Sequence, residues 1–329
     1  MNSWRYFYNE NTGPEPINCT NCSISPGPEG CFILLSFFYN FTSGAIKYTN
    51  DNIKVLHSRC DFYNNANTNN GGSVYFNCKG SFVQHKICSI SSQTNTTNWN
   101  GGHHSYSDCK DANNLNFVYE STICLCGNED AQKTLSLYSG NISIRSTNIS
   151  KCTGTFNSGY GLYPTKEASV SYCTIDNTTC KPNDIVLGHF PTGTHFPTGT
   201  HFVSFCNILN NKVSSSASGI IYSSSEITIE NCTINGNEGP TGFKLFSKGN
   251  SNTFTVKNCF IQSNPSFPSD INNDNNIFDD VISLNLSHLS TFKCEALFPI
   301  LDEKIAKEED TNDRDYYKFI RSLIDPLSI

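Results

Sequence analysis

ITIENCTINGN (residues 227–237) and FTVKNCFIQSN (residues 254–264) are two copies of one unit. Each has apolar residues alternating with polar ones, a cysteine, an Ile two residues after it, and an Asn shortly beyond. The unit recurs at Cys22-Ser-Ile24, Cys31-Phe-Ile33, Cys60-Asp-Phe62, Cys88-Ser-Ile90, Cys173-Thr-Ile175 and Cys206-Asn-Ile208. An apolar residue stands three before the late cysteines, at Val170, Val203, Ile229 and Val256. Cys206 and Cys232 are 26 residues apart, and Cys232 and Cys259 are 27 apart. Cys31, Cys60 and Cys88 follow at 29 and 28. Cys173 to Cys206 is 33, and that interval holds a tandem hexamer, HFPTGT at 189–194 and again at 195–200. Removing one copy restores 27. Cys109, Cys124, Cys126 and Cys152 lack the full pattern, so the register between 95 and 155 stays open.

Between the cysteines lies a second motif, Gly followed by an aromatic, as in Gly71-Gly-Ser-Val-Tyr-Phe76 and Gly219-Ile-Ile-Tyr222. Each period therefore holds about three short strands of alternating polarity. Asn and Gly punctuate them because both tolerate turn conformations. Periods this short leave no room for crossover helices. Such strands bury their apolar side chains only by stacking coil on coil. The residue at −3 has the opposite parity to the cysteine, which places a bend between them. Asn231 and Asn258 sit at that bend, where stacked amides would hydrogen-bond from coil to coil.

The rows resemble right-handed parallel β-helix proteins, the pectate-lyase-like superfamily. Their texture of Gly-Gly-x-x-Tyr and Cys-x-Ile-x-Asn is similar to the polymorphic surface repeats of chlamydial outer-membrane proteins. The expected fold is all-β: a single right-handed parallel β-helix solenoid of about 25–28 residues per coil over 31–290. Residues 1–30 form an irregular N-terminal cap. Residues 291–329 form a charged helical C-terminal cap or tail, with 13 charged residues in 301–329 against 38 in the preceding 300. Tyr316, Phe319, Ile320, Leu323 and Ile324 make its amphipathic stripe.

Charged residues are only 16% of the 329, below the roughly 25% of average domains, and the net charge is −7. This excludes a general binder of nucleic acid or anionic membrane. The apolar run Cys31–Tyr39 is too short to span a bilayer, which needs about 20 residues in a helix. No secretory signal is visible, yet nine N-x-Ser/Thr sequons and the resemblance point to an extracellular or cell-surface protein. Packed into a ladder, Asn231 would be a poor glycosylation acceptor.

The related enzymes use clustered Asp ligands for calcium with a basic proton acceptor, or an Asp dyad with Gly-His-Gly. Here Gly101-Gly-His-His104 has a different form, and the acidic pairs, such as Asp279-Asp280 and Glu129-Asp130, lack the surrounding pattern. No catalytic residue and no cofactor is expected. The one candidate metal set is His57, Cys60, His85 and Cys88, a His stacked three residues before each of two cysteines. The competing reading has both histidines filling an apolar column or facing water. The functional expectation is non-enzymatic adhesion or interaction with host or self surface proteins or glycans. The alternative is a carbohydrate-active or carbohydrate-binding β-helix, which a groove rich in acidic residues would favour over a flat Ser/Thr/Asn surface.

Pro191 and Pro197 cannot donate to a central ladder, so the extra hexamer copy should form a loop outside the stacked strands. Loop lengthening costs roughly 0.6 kcal/mol per doubling. Deleting His195 to Thr200 should therefore leave the Tm nearly unchanged in calorimetry. A loss of several degrees would place the coil boundary elsewhere.

Overall fold

The computed structural model describes residues 3–279, apart from 25–26, 28–29, 51, 97–100, 129–132, 182–184, 191–199, 215–218, 250–251 and 264–267. The charged C-terminal stripe and most of the hexamer loop lie outside the described residues.

The chain is an all-β parallel solenoid of about eight turns. Each full turn contributes a strand to each of three sheets, and the two end coils contribute to the first and second alone. The first, of ten strands, runs from Cys31–Leu34 to Asn272–Asp274, and the second, also of ten, from Phe37–Tyr39 to Ile277–Phe278. The third has eight, from Ile46–Tyr48 to Lys244–Lys248. All pairing between these strands is parallel and mostly in register, so Ile227–Glu230 lies residue for residue against Phe254–Lys257. The interval from Cys60 to Cys259 forms one continuous stack, and Cys60, Cys88, Cys173, Cys206, Cys232 and Cys259 are all buried.

The bend between the first and second sheets is a single residue in the left-handed conformation. Leu35, Arg59, Lys86, Glu120, Ser146, Tyr172, Phe205, Asn231, Asn258 and Asn275 occupy it, all with φ near +50°. L-residues seldom adopt this conformation, and the residue that follows shows why it holds. There stand Ser36, Cys60, Ile87, Ser121, Thr147, Cys173, Cys206, Cys232, Cys259 and Asn276. The Cys232 thiol donates to the Glu230 carbonyl at 3.2 Å and lies 3.7 Å from that of Val203, one coil back. Its sulfur accepts the Cys206 N–H at 3.4 Å. Thr147 donates to the Arg145 carbonyl at 3.0 Å. Ser121 donates to Tyr119 at 2.8 Å and accepts the Ile87 N–H at 3.1 Å. Cysteine here does what serine, threonine or the Asn276 amide does elsewhere in the column, and so satisfies backbone groups that the bend would orphan.

This column bears on two expectations. Asn231 and Asn258 are at the bend with exposed side chains, and an amide bond from coil to coil does form there, the Asn275 Nδ2 donating to the Asn258 Oδ1 at 2.7 Å. A second, buried amide ladder is at the next corner, after the second sheet. There the Asn211 Nδ2 donates to the Asn237 Oδ1 at 3.0 Å and to the Ile175 carbonyl at 3.0 Å. In the first coils the same corner is held by Asn65, whose Oδ1 accepts the Phe41 N–H. The undetermined middle is also fixed: Ser121 and Thr147 take the corner, and one coil spans the 34 residues from Ile87 to Ser121.

The core changes character along the axis. Early coils are filled by Tyr48, Phe62, Phe76 and Phe82, later ones by Ile, Leu, Val and Cys. The described N-terminal residues serve two surfaces. Ile17 and Thr20 pair onto the first coil at Ile33 and Phe37. The short helix Ser3–Tyr8 lies along the outside of the first sheet, with Trp4 against Phe32, Leu56 and Val83. Cys19 and Cys22 are joined by a disulfide, and twelve further cysteines are free and buried.

The column predicts an order of tolerance. Cys232→Ser keeps both donor and acceptor, whereas Cys232→Val strands the Cys206 N–H, at roughly 1–3 kcal/mol for a buried unsatisfied group. Urea melts should show the valine variant as the weaker of the two.

Candidate functional site

The four candidate metal ligands are not brought together. His57 is in the core, its Nε2 2.8 Å from the Tyr48 hydroxyl. Cys60 is at the corner. Cys88 stands one residue past its own corner, which Ile87 occupies, because Asp61 and not Cys60 aligns with Cys88. That single-residue slip reverses the face of everything counted from Cys88. His85 therefore aligns with Ser58 instead of His57. It lies on the outside of the first sheet, 5.2 Å from the Phe7 ring, with its Nε2 3.7 Å from Glu120. Cys88 faces outward with Phe37, Ile90 and Cys124. Among the described residues no group of three or more His, Cys, Asp or Glu is placed to hold a metal ion.

His189, His201 and the histidines of Gly101-Gly-His-His104 are structural in placement. His189 and His201 close the base of the hexamer excursion inside the core, with their Nδ1 atoms 3.0 Å apart and His189 Nε2 3.3 Å from the Tyr160 hydroxyl. His104 Nε2 meets Gln84 Oε1 at 2.8 Å. Of the acidic pairs, Asp279 lies among the described residues and is exposed, while Asp280, Glu129 and Asp130 do not.

Two outer surfaces carry organised side chains. From the fifth coil onward the outside of the first sheet carries the column Ser143, Ser169, Phe202, Thr228 and Thr255, in which Ser143 is buried under Ser169, which donates to it at 3.0 Å, and Phe202 is 40% exposed. Beside it runs the column Arg145, Ser171, Ser204, Glu230 and Lys257. At the bend Tyr172 and Phe205 stack at 5.1 Å with their planes 5° apart, and the Arg145 guanidinium lies 5.8 Å over Tyr172. Bulky aromatics held in a left-handed conformation at an exposed corner are uncommon. The third sheet carries a ladder of rings, Tyr75, Tyr106, Tyr138, Tyr163, Phe190 and Tyr222, with neighbours 4.1–5.5 Å apart. Faces are occupied by neighbours, so edges and hydroxyls point outward.

The sequence reading missed the exposed Tyr172–Phe205 pair. Its signal was present as an aromatic immediately before each of Cys173 and Cys206, where other repeats have Asn. It also undervalued Asn231, which as an exposed corner residue is an accessible sequon. Asn18, Asn21, Asn40, Asn95, Asn141 and Asn177 are exposed as well.

Compared with family models, curated proteins and solved structures, the chain matches none.

Buried histidines make the fold acid-labile. Burial lowers His57 to about 3, with His104 adding to the effect, and burial alone takes His104 and His201 to about 3. In the unfolded chain each titrates near 6.5. Above that value they contribute nothing to the pH dependence. As pH falls below it the unfolded state gains protons that the folded state refuses, and stability is lost. At pH 4.5 the loss is roughly 3 kcal/mol per histidine, so the three together rival the ~5–15 kcal/mol of a whole domain. Far-UV circular dichroism should show cooperative unfolding between pH 6 and pH 4. Retention of full structure at pH 4 would show these rings reach solvent.

Proposed function

We propose that the protein is a non-enzymatic surface or extracellular β-helix that acts in adhesion or interaction through its outer faces. The observation that carries this reading is the outer face of the first sheet, where Ser169, Thr228 and Thr255 flank Phe202 and Ser171 and Ser204 stand alongside. Hydroxyls set at the strand spacing of about 4.8 Å around an aromatic ring suit a partner bound by several weak, directional hydrogen bonds. They do not suit general acid–base chemistry, which needs paired carboxylates. The exposed sequons support passage through an exporting, glycosylating route.

Glycans are the partner class that the neighbouring rings favour. Phe202 stands within the hydroxyl column and Phe205 and Tyr172 border it, and exposed aromatic faces pack against the C–H faces of sugars. A carbohydrate-binding β-helix is thus the second reading, within the same surface.

Glycan-array and cell-binding assays with the full chain test both. Binding should fall at least tenfold in Phe202→Ser/Phe205→Asn, with unchanged circular dichroism. Pectin, alginate and glycosaminoglycan panels should show no unsaturated product. Calcium-dependent product formation would overturn the non-enzymatic reading, and undiminished binding by the double variant would move the surface elsewhere.

A further inference from the structure

We propose that a disulfide joins Cys88 to Cys294 and holds the chain beyond the last coil against the outer face of the second sheet. Cys88 is disulfide-bonded. Of the sixteen cysteines, Cys19 and Cys22 are bonded to each other and twelve are free thiols. Cys294 is the one cysteine left to pair with Cys88.

The sheet face around Cys88 requires a cover. Phe37, Asp61 and Cys88 align across the first three strands of the second sheet, and Tyr39, Tyr63, Ile90 and Cys124 align beside them. The alternate residues Phe38 and Phe62 fill the core, so these two columns face outward. Farther along the same sheet the outward Phe260 is 44% exposed. Here Cys88 is 0% exposed, Ile90 2%, Cys124 4% and Phe37 5%. The described hydrophobic residues packed on this patch are Tyr39, Tyr63 and Leu125, from the same strands and the corner after them. The first sheet has a matching apolar patch, Phe32, Leu56 and Val83, and there the helix Ser3–Tyr8 lays Trp4 against it.

The chain that follows has the length and the pattern to cover the second patch. Ile277–Phe278 is the tenth strand of the second sheet and Cys88–Ile90 the third, a span of about 34 Å at the usual strand spacing. Fifteen residues lead from Asp279 to Cys294, and fully extended they reach about 50 Å. Among them Ile282, Leu284 and Leu286 alternate with Ser283, Asn285 and Ser287. An extended chain with this alternation has one apolar side for the sheet and one polar side for solvent.

The bond forms by thiol–disulfide exchange with an external disulfide such as oxidised glutathione. One cysteine thiolate attacks it and expels the first reduced thiol. The other thiolate attacks the mixed disulfide at the protein sulfur and expels the second. The protein loses two protons and two electrons, and the external disulfide becomes two thiols.

Peptide mapping of the full-length chain tests this, after equilibration in a glutathione redox buffer and alkylation in denaturant without reduction. Trypsin should release residues 87–110 and 294–304 as one linked species with Cys109 alkylated, and reduction should separate them. Cys88→Ser and Cys294→Ser should each abolish the link and leave the remaining cysteine alkylated. In the native protein, cleavage after Lys293 should be at least tenfold slower in the wild type than in Cys88→Ser, at unchanged circular dichroism. Both cysteines alkylated in the wild type, or either one linked to a different cysteine or to a second copy of the chain, overturns the proposal. Equal cleavage rates with the link present overturn the docking on this face.

Discussion

The solenoid depends on a left-handed residue followed, at all corners but one, by a small side chain that both donates and accepts a hydrogen bond. Ten successive bends between the first and second sheets turn at such a left-handed residue. The turn is unfavourable for every one of them, since none is glycine. What holds it is the column behind: at every corner but that of Ile87, a thiol, hydroxyl or amide ties the turn to the carbonyl two residues back or to the backbone of the adjacent coil. Individually these bonds are weak, particularly those through sulfur. Stacked in register they act together, because a corner that slips by one residue turns every following side chain to the wrong face.

The repeat was legible because cysteine is rare and Ile two residues later is conspicuous. It became illegible where the corner changed chemistry without changing function. Ser121 and Thr147 do the work of cysteine, but in a chain rich in Ser and Thr they are invisible by composition. Ile87 fills a corner by bulk alone, and the neighbouring Cys88 then passes for the repeat residue. The candidate metal set rested on that one-position misreading. The bend itself was correctly inferred from parity at Asn231 and Asn258, yet parity says nothing about which way a bend side chain points. An exposed amide pair, Asn275 to Asn258, does stand at that bend, but the buried ladder is at the second corner, at Asn65, Asn211 and Asn237.

Polar groups inside the coils share one solution. His57 pairs with Tyr48, His104 with Gln84, and His189 with His201 and Tyr160. Aromatic and imidazole rings fill the wide early coils, where a column of aliphatic side chains would leave space. Each such ring is safe while uncharged, and that ties the early core to the protonation state of its surroundings.

Corners fixed in register have a genetic consequence. Cys206 to Cys232 and Cys232 to Cys259 are interchangeable units of 26 and 27 residues. Unequal recombination between them would insert or remove one whole rung, changing the length of the rod by about 4.8 Å and leaving every retained corner paired. The duplicated hexamer is a smaller copying event of the same kind, in a connection between sheets. A lineage carrying this architecture can lengthen its surface in steps, and vary its loops, without redesigning a core.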